Sequence, residues 1–164
     1  MTRFSDNAQK YLESVNKKCK PVDRPNWTEY FISMAKLAST RSCDFETKHG
    51  CVITDQMHRV LGIGYNSFPV GMPDTILPNT RPEKYKWMVH AERNALANCT
   101  IRPDNGIAYI TGPPCIECAK SLYQEGVRSF VCVDGHGTHL MCEDDKHIFE
   151  ILTKEGNIEL EWVQ

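Results

Sequence analysis

The chain has 164 residues, enough for one well-buried hydrophobic core, and nothing in it calls for a second domain. Hydrophobic residues make up 41% of it and charged residues 24%, a composition typical of globular proteins. The net charge is −2, with acidic and basic residues interspersed. A protein that grips a polynucleotide usually carries a basic stripe, because phosphate contacts supply much of the affinity. The sequence shows no such stripe, so we expect a small substrate rather than DNA or RNA.

The polar N-terminal segment and the cysteines indicate the compartment and the redox state that we expect for the chain. Residues 1–20 are too polar for a signal peptide, and no apolar run is long enough to span a membrane. We therefore expect a cytoplasmic protein with no membrane partner. In that reducing compartment the eight cysteines would be metal ligands or small core residues. Cys51 and Cys132 fall in predicted strands and are expected in the core.

The first 25 residues are predicted to form an N-terminal arm, and residues 26–164 a single domain. Within the arm, Tyr11, Leu12 and Val15 could make one helical turn that packs on the domain or on a neighbouring subunit. A mobile arm is equally consistent with the polar composition.

A helix is predicted after Asn26, which can cap it, with Glu29 placed to complete a capping box. The side chains expected on its core face are Trp27, Tyr30, Phe31, Met34, Ala35 and Ala38. A polar loop over 41–49 leads into strands 51–54 and 60–65, which a turn joins into a hairpin.

Residues 66–89 form a long connection that we expect to have a functional role, since long ordered loops in compact domains are usually functional. The segment carries Arg81, Lys84 and Lys86, natural partners for an anionic substrate group. Taken singly, each is more readily explained as a solvated surface charge.

The rest of the chain alternates helix and strand. The predicted elements are a helix over 90–99, a strand over 107–111, a helix over 116–125, a strand over 128–133, a helix over 144–154 and a strand over 158–163. A leading hairpin followed by alternating elements predicts a three-layer α/β/α sandwich around a mixed five-stranded sheet.

A candidate metal site stands out in this pattern. His90, Cys115 and Cys118 supply the ligand types that Zn²⁺ prefers, and three protein ligands leave one position open, as in catalytic zinc sites. Cys115 and Cys118 share a helix face, and Pro113 and Pro114 suit a helix start, where thiolates are favoured. His90 and Glu92 can converge only at a helix N-terminus, because residues two apart lie on opposite sides of a helix.

The pattern of His-x-Glu followed by Pro-Cys-x-x-Cys is the signature of zinc deaminases. Zinc lowers the pKa of a bound water to about 7, and Glu92, which is not a ligand, is free to move protons. A redox pair is less favoured because His-x-Glu lies upstream, and a structural zinc would want a fourth protein ligand. A second, structural zinc from the remaining cysteines is not indicated by any paired spacing.

With His-Ala-Glu-Arg-Asn-Ala-Leu at 90–96 and Pro-Pro-Cys-Ile-Glu-Cys-Ala-Lys at 113–120, the chain resembles the cytidine deaminase superfamily, and within it the deoxycytidylate (dCMP) deaminases. Further resemblance lies in residues 30–38, 41–42, 62–69 and 74–81. It implies hydrolysis of dCMP to dUMP and ammonia, with one catalytic zinc per subunit and Glu92 as base and acid in turn. It also implies substrate contacts from Asn66 to the sugar, from the Ala91 N–H to the pyrimidine and from Arg41 to the phosphate.

Members of this family are commonly homohexamers that dCTP activates and dTTP inhibits. The chain departs from the family pattern at three places. Ser67 stands where a glycine is usual, Pro113 stands where an aromatic residue is frequent, and residues 134–139 lack the usual tyrosine. The alternatives are a deaminase of another cytosine nucleotide or nucleoside (dCTP, cytidine, modified dCMP), or a catalytically silent, nucleotide-sensing zinc protein.

Overall fold

The computed structural model describes residues 5–16, 22–135 and 143–164, which form one five-stranded sheet with helices around it. In chain order the elements are α1 (Asp6–Asn16), α2 (Trp27–Ser39), β1 (Gly50–Thr54), β2 (Val60–Tyr65), a 3-10 helix (Glu83–Lys86), α3 (Ala91–Ala97), β3 (Ile107–Ile110), α4 (Ile116–Gln124), β4 (Ser129–Val133), α5 (Glu143–Glu155) and β5 (Glu159–Val163). None of the helices in these ranges is both long and apolar enough to cross a bilayer.

The sheet has the strand order β2-β1-β3-β4-β5. Strand β1 runs antiparallel to both β2 and β3, whereas β3, β4 and β5 run parallel to one another. The predicted hairpin and the mixed sheet are therefore confirmed. Parallel neighbours need a crossover connection, and α4 and α5 supply the two that this sheet requires.

Each face of the sheet buries its own layer of helices. On one face, Ile53, Ile110 and Phe130 pack with buried side chains of α3, α4 and α5, and Cys51 and Cys132 lie in this core as expected. On the other face, a smaller cluster joins the sheet to α2; its buried members are Phe31, Ile32, Ala35, Val52, Tyr109, Val131 and Val133. The three-layer α/β/α arrangement is confirmed.

Helix α2 begins as predicted and buries part of the predicted face, including Phe31 and Ala35. The Glu29 backbone N–H donates to the Asn26 side chain, and the Asn26 N–H donates to the Glu29 carboxylate, each at 2.9 Å. The expectation that Trp27 and Tyr30 lie in the core is wrong, since they are 54% and 45% exposed. Trp27 stacks on His58 in the β1–β2 turn, with ring centroids 4.3 Å apart.

The chain before α2 contains more helix than the single turn considered from the sequence. Helix α1 is 11 residues long, and its described side chains are exposed or only half-buried. Residues 22–26 have no regular secondary structure and lead to the start of α2.

Candidate active site

Two helix starts bring the predicted metal ligands together. His90 is the N-cap of α3, Cys115 is the N-cap of α4, and Cys118 lies in the first turn of α4. The Nδ1 atom of His90 lies 3.4 Å from the Sγ atom of each cysteine. The ligand atoms all lie within 4.8 Å of one another, and in the described ranges no other group of three or more such residues does so.

The sequence around β2 explains how α3 can come so close to the sheet. A Cβ atom on Gly64 would overlap the backbone of Ala91 and Ala95 in α3, and one on Gly62 would also overlap Ala95. Both glycines point to the same face of the strand, because they are two residues apart. Their bare backbone lets the first turn of α3, and with it His90, pack directly on β2.

The three ligand atoms fit a zinc ion. Zn–S bonds of about 2.3 Å and Zn–N bonds of about 2.0 Å at tetrahedral angles separate nitrogen and sulfur ligands by roughly 3.5 Å. The observed separations of 3.4 Å agree with that value. Two thiolates and one imidazole also make a donor set typical of zinc and leave a fourth position open.

The protonation of the two thiols is coupled. A hydrogen bond with Cys118, opposed by burial and reinforced by His90, lowers the pKa of Cys115 to about 4. The same contact with Cys115, together with burial, raises the pKa of Cys118. A metal binds thiolates, so a metal that enters this group must displace the proton that Cys118 retains.

Glu92 lies next to the ligand group, in the first turn of α3. It is only 5% exposed, and burial raises the pKa of its carboxyl. A carboxyl with a raised pKa retains a proton more readily than an exposed carboxyl, which suits a residue that must act as general acid as well as base. The structure thus brings the predicted catalytic residue beside the predicted ligands.

A cavity of about 440 Å³ opens in front of this group. Its described lining residues are Asp44, Thr47, His49, Asn66, Arg81, Lys84, Tyr85, Met88, His90, Ala91, Glu92, Pro113, Cys115 and Asp145. Asn66 and Ala91, two of the predicted substrate contacts, line this cavity. Arg41 is exposed and does not belong to the lining that the described residues form.

Asn66 is already bonded to the protein. Its Oδ1 accepts from the His49 N–H at 2.7 Å, and its Nδ2 donates to the Thr47 carbonyl at 2.9 Å and to Asp44 Oδ2 at 3.1 Å. The side chain holds the 42–49 loop in shape. The sugar contact implied by the resemblance stays a prediction.

Part of the cavity lining is built on a buried ion pair. Lys84 Nζ donates to both oxygens of Asp44, at 2.7 and 2.8 Å, and lies 3.2 Å from Glu46 Oε2. The side chains of Lys84 and Asp44 are each 3% exposed. Burial alone would raise the pKa of Asp44, but hydrogen bonds from Lys84 and from the N–H groups of Thr47 and Glu46 outweigh it and lower the pKa.

Sequence reasoning missed this pair. It treated Lys84 as a candidate anion ligand or a solvated charge, and it assigned no role to Asp44. The pattern Asp44-Phe45-Glu46-Thr47, in which an aspartate can bond the backbone ahead of it, was the available signal for an ordered loop. Nothing in it indicated a lysine partner 40 positions away.

The departures from the family pattern have structural counterparts. Ser67 has no positive φ, and its Oγ accepts from Asn94 Nδ2 at 3.1 Å, so the side chain is accommodated against α3. Pro113 lines the cavity, as does Tyr85, which offers an aromatic ring there. Residues 136–139 of the third departure lie outside the described residues, as do Cys19 and Cys142, two of the remaining cysteines considered for a second zinc.

Comparison with known proteins agrees with the fold and the ligand group. The model of the cytidine and deoxycytidylate deaminase zinc-binding region matches residues 25–134, so the chain belongs to this family of zinc-binding deaminases. Human deoxycytidylate deaminase is 35% identical over 119 residues, covering 68% of this chain and 67% of the human one. A probable deoxycytidylate deaminase from Caenorhabditis elegans is 38% identical over 104 residues, covering 60% of this chain and 52% of the relative.

A solved structure shares the fold. The dCMP deaminase of the cyanophage S-TIM5, in complex with dCMP and dUMP, superposes with a TM-score of 0.66 at 20% identity, over 87% of this chain and all of the phage protein (100%). The likeness supports the cytidine deaminase-like architecture described above.

Proposed function

We propose that this chain is a zinc-dependent deaminase that hydrolyses dCMP to dUMP and ammonia. The observation that carries the proposal is the convergence of His90, Cys115 and Cys118 beside the buried carboxylate of Glu92, at one end of a cavity. Membership of the cytidine and deoxycytidylate deaminase family supports the reaction class, and the two named relatives support the substrate.

His90, Cys115 and Cys118 would hold one zinc ion per subunit. When bound, the ion supplies a water whose pKa falls to about 7 and which is therefore a ready nucleophile at neutral pH. The close N–S separations support this assignment, because they need little rearrangement to become ligand distances.

Glu92 would move the protons of the reaction. It takes a proton from the attacking water and gives it to N3 of the pyrimidine, which makes C4 more electrophilic. It then helps to protonate the departing amine, so one carboxyl acts as base and acid in turn. Its burial and raised pKa support this role, since the protonated form must persist long enough to be used.

The backbone N–H of Ala91 would hydrogen-bond the base. Ala91 is fully buried, begins α3 and lines the cavity. The first N–H groups of a helix have no partner within the helix, so they are available to a ligand. The backbone would thereby fix the orientation of the pyrimidine toward Glu92.

Regulation and assembly follow the family in this proposal. We propose a homo-oligomer, a hexamer by resemblance, that responds to dCTP and dTTP and works in the cytoplasm. The hydrogen bond from Asn94 to Ser67 supports a serine at this position without distortion of the neighbouring backbone. Light scattering tests the oligomeric state, and assays with and without dCTP or dTTP test the regulation.

The test of the function is ammonia release by zinc-loaded protein on dCMP, with dCTP, deoxycytidine and cytidine in parallel. We expect dCMP to be turned over fastest. Glu92→Gln should retain stoichiometric zinc and lose turnover by about 10²- to 10⁴-fold, the usual contribution of general acid–base catalysis. Zinc retention with no activity on any cytosine compound would favour the nucleotide-sensing alternative.

A further inference from the structure

We infer that Arg81, assisted by the hydroxyl of Thr47, binds the 5′-phosphate of the nucleotide and so sets the preference for a nucleotide over a nucleoside. The inference rests on the proposed deaminase function and names a residue for one part of its substrate. Four cations come into question from the sequence: Arg41, Arg81, Lys84 and Lys86.

Three of the four are poorly placed for this task. Lys84 lines the cavity, but its ammonium donates to both oxygens of Asp44 and lies against Glu46. These contacts occupy the three N–H donors of the ammonium. Arg41 and Lys86 are exposed and lie outside the described lining of the cavity. That leaves Arg81 as the lining cation with donors to spare.

Arg81 is held in position and still has donors for a ligand. Its Nη2 donates to Thr47 Oγ1 at 3.0 Å, and its backbone N–H donates to Glu46 Oε2 at 2.9 Å. Its Nε lies 3.8 Å from Glu46 Oε2, too far for a hydrogen bond. A guanidinium carries five N–H donors in a planar fork that matches phosphate oxygens, so most of the fork remains for an anion.

Thr47 adds a neutral donor at the same point. Its hydroxyl oxygen accepts from Arg81, which leaves its own O–H to donate to a phosphate oxygen. The backbone of Thr47 is fixed at both ends, since its N–H donates to Asp44 at 2.9 Å and its carbonyl accepts from Asn66 at 2.9 Å. A fixed donor loses little freedom when the ligand arrives.

The buried Asp44–Lys84 pair explains why these groups are available. Lys84 forms an ion pair with Asp44 and also lies 3.2 Å from Glu46. Arg81 is therefore not the only cation beside Glu46, and its guanidinium is not bound up in that pair. Lys84 is also three residues after Arg81 in the chain, and its anchoring fixes the backbone from which Arg81 projects. The lysine positions the arginine, and the arginine meets the phosphate.

The experiment compares Arg81→Gln with wild type on dCMP and on deoxycytidine, as full-length, zinc-loaded protein. Loss of a charge-assisted contact should raise the KM for dCMP about 10- to 100-fold, with kcat changed much less. The kcat/KM for deoxycytidine, which has no phosphate, should fall far less than that for dCMP. Arg81→Lys should recover part of the affinity, because it keeps the charge but not the fork.

Arg59→Gln is the matched control. Arg59 is an exposed arginine in the β1–β2 turn that pairs only with its neighbour Asp55 among the described residues, and its substitution should leave both substrates unaffected. Arg41→Gln tests the contact implied by the family resemblance. If it raises the KM for dCMP while Arg81→Gln does not, the inference is wrong.

Calorimetric binding of the product dUMP separates the inference from the proposed function. Weaker dUMP binding by Arg81→Gln supports the phosphate contact even if wild type fails to turn over dCMP, which would refute the function alone. A wild type that deaminates dCMP, together with an Arg81→Gln variant of unchanged KM and unchanged dUMP affinity, refutes the inference alone. An equal loss on dCMP and deoxycytidine would also overturn it, since it would show a structural role.

Discussion

Two parts of the cavity lining, the metal end and the loop end, are built in different ways. At the metal end, the functional groups lie at the N-caps and in the first turns of α3 and α4, within two short sequence motifs. At the loop end, the lining depends on Asp44, Asn66 and Lys84, which come from three separate segments and meet around a buried ion pair. The first end is held by helix geometry, and the second by electrostatics that fail if one partner is lost.

The largest effect is expected at the metal end, from His90→Ala. Removal of one of three ligands should abolish zinc binding and deamination together, while the sheet and its core remain folded, because no core contact is lost. Zinc content, ammonia release and far-ultraviolet circular dichroism would be measured together. Glu117→Ala, on the exposed side of the same turn as the cysteines, is the control and should keep its zinc.

At the loop end, Lys84→Met should destabilise the protein by about 3–5 kcal/mol, because it leaves the carboxylate of Asp44 buried without its partner. The free energy of unfolding in urea measures the change. The double variant with Asp44→Asn should recover part of it. Lys120→Met, which removes an exposed pair with Glu117, should change stability by less than about 1 kcal/mol. Equal losses of stability for the Lys84 and Lys120 variants would show that burial of the ion pair does not set its contribution.

The same pair predicts a response to acid. The pKa of Asp44 is lowered in the folded protein, so its stabilising contribution is present above the unfolded value of about 3.9 and is lost as the pH falls through the folded value. The difference in unfolding free energy between wild type and Asp44→Asn should therefore shrink below about pH 4. A difference that stays constant from neutral pH to pH 3 would rule out the ionised pair as its source.

A packing change at the metal end should have a moderate effect. Gly64→Ala would force a Cβ into the backbone of α3, at a cost of about 1–3 kcal/mol, and would move the turn that carries His90 and Glu92. We expect kcat to fall as well as stability. Ile63→Ala, on the opposite face of the same strand and 38% exposed, is the control and should leave kcat unchanged. Unchanged kcat in both variants would show that the close approach is not needed for catalysis.

The smallest effect is expected away from both ends. Asn26→Ala removes the cap of α2 and should reduce stability by about 1 kcal/mol. Because α2 packs on the face of the sheet that lies away from α3 and α4, KM and kcat should not change. This variant gives the baseline for a purely structural loss, and a change in KM would connect α2 to the cavity.

The contrast between the two ends also explains what could be predicted from the sequence. The strands, the hairpin and the capping box at Asn26 depend on neighbours within a few residues, and periodicity and spacing record these. The meeting of His90 with Cys115 and Cys118 joins positions 25 and 28 residues apart, and it could be predicted because the two short motifs together form the signature of zinc deaminases. The buried pair of Asp44 and Lys84 depends on two segments 40 residues apart that meet only in the folded chain. A lysine that will be buried against an aspartate has no local mark that distinguishes it from a solvated one.

The face of α2 was predicted only in part for a related reason. Periodicity identified an apolar stripe but not which of its residues other elements cover, so Trp27 was expected in the core and lies instead on His58. Ile32 was not included in the predicted face, yet it is 5% exposed. The neighbours of a helix decide which of its apolar residues are covered, and those neighbours come from distant parts of the chain.

The two N-cap positions have a thermodynamic consequence. A cap residue usually returns its side chain to the first turn of its own helix, but within the described residues neither His90 nor Cys115 does so. Their side chains converge on a common point that exists only when both helices are in place. An ion that needs both helices in place binds the folded chain more tightly than the unfolded one, so its binding stabilises the fold. Once the site is saturated, each tenfold rise in free zinc should add about 1.4 kcal/mol to the free energy of unfolding. The stability of this protein therefore depends on the concentration of free zinc around it.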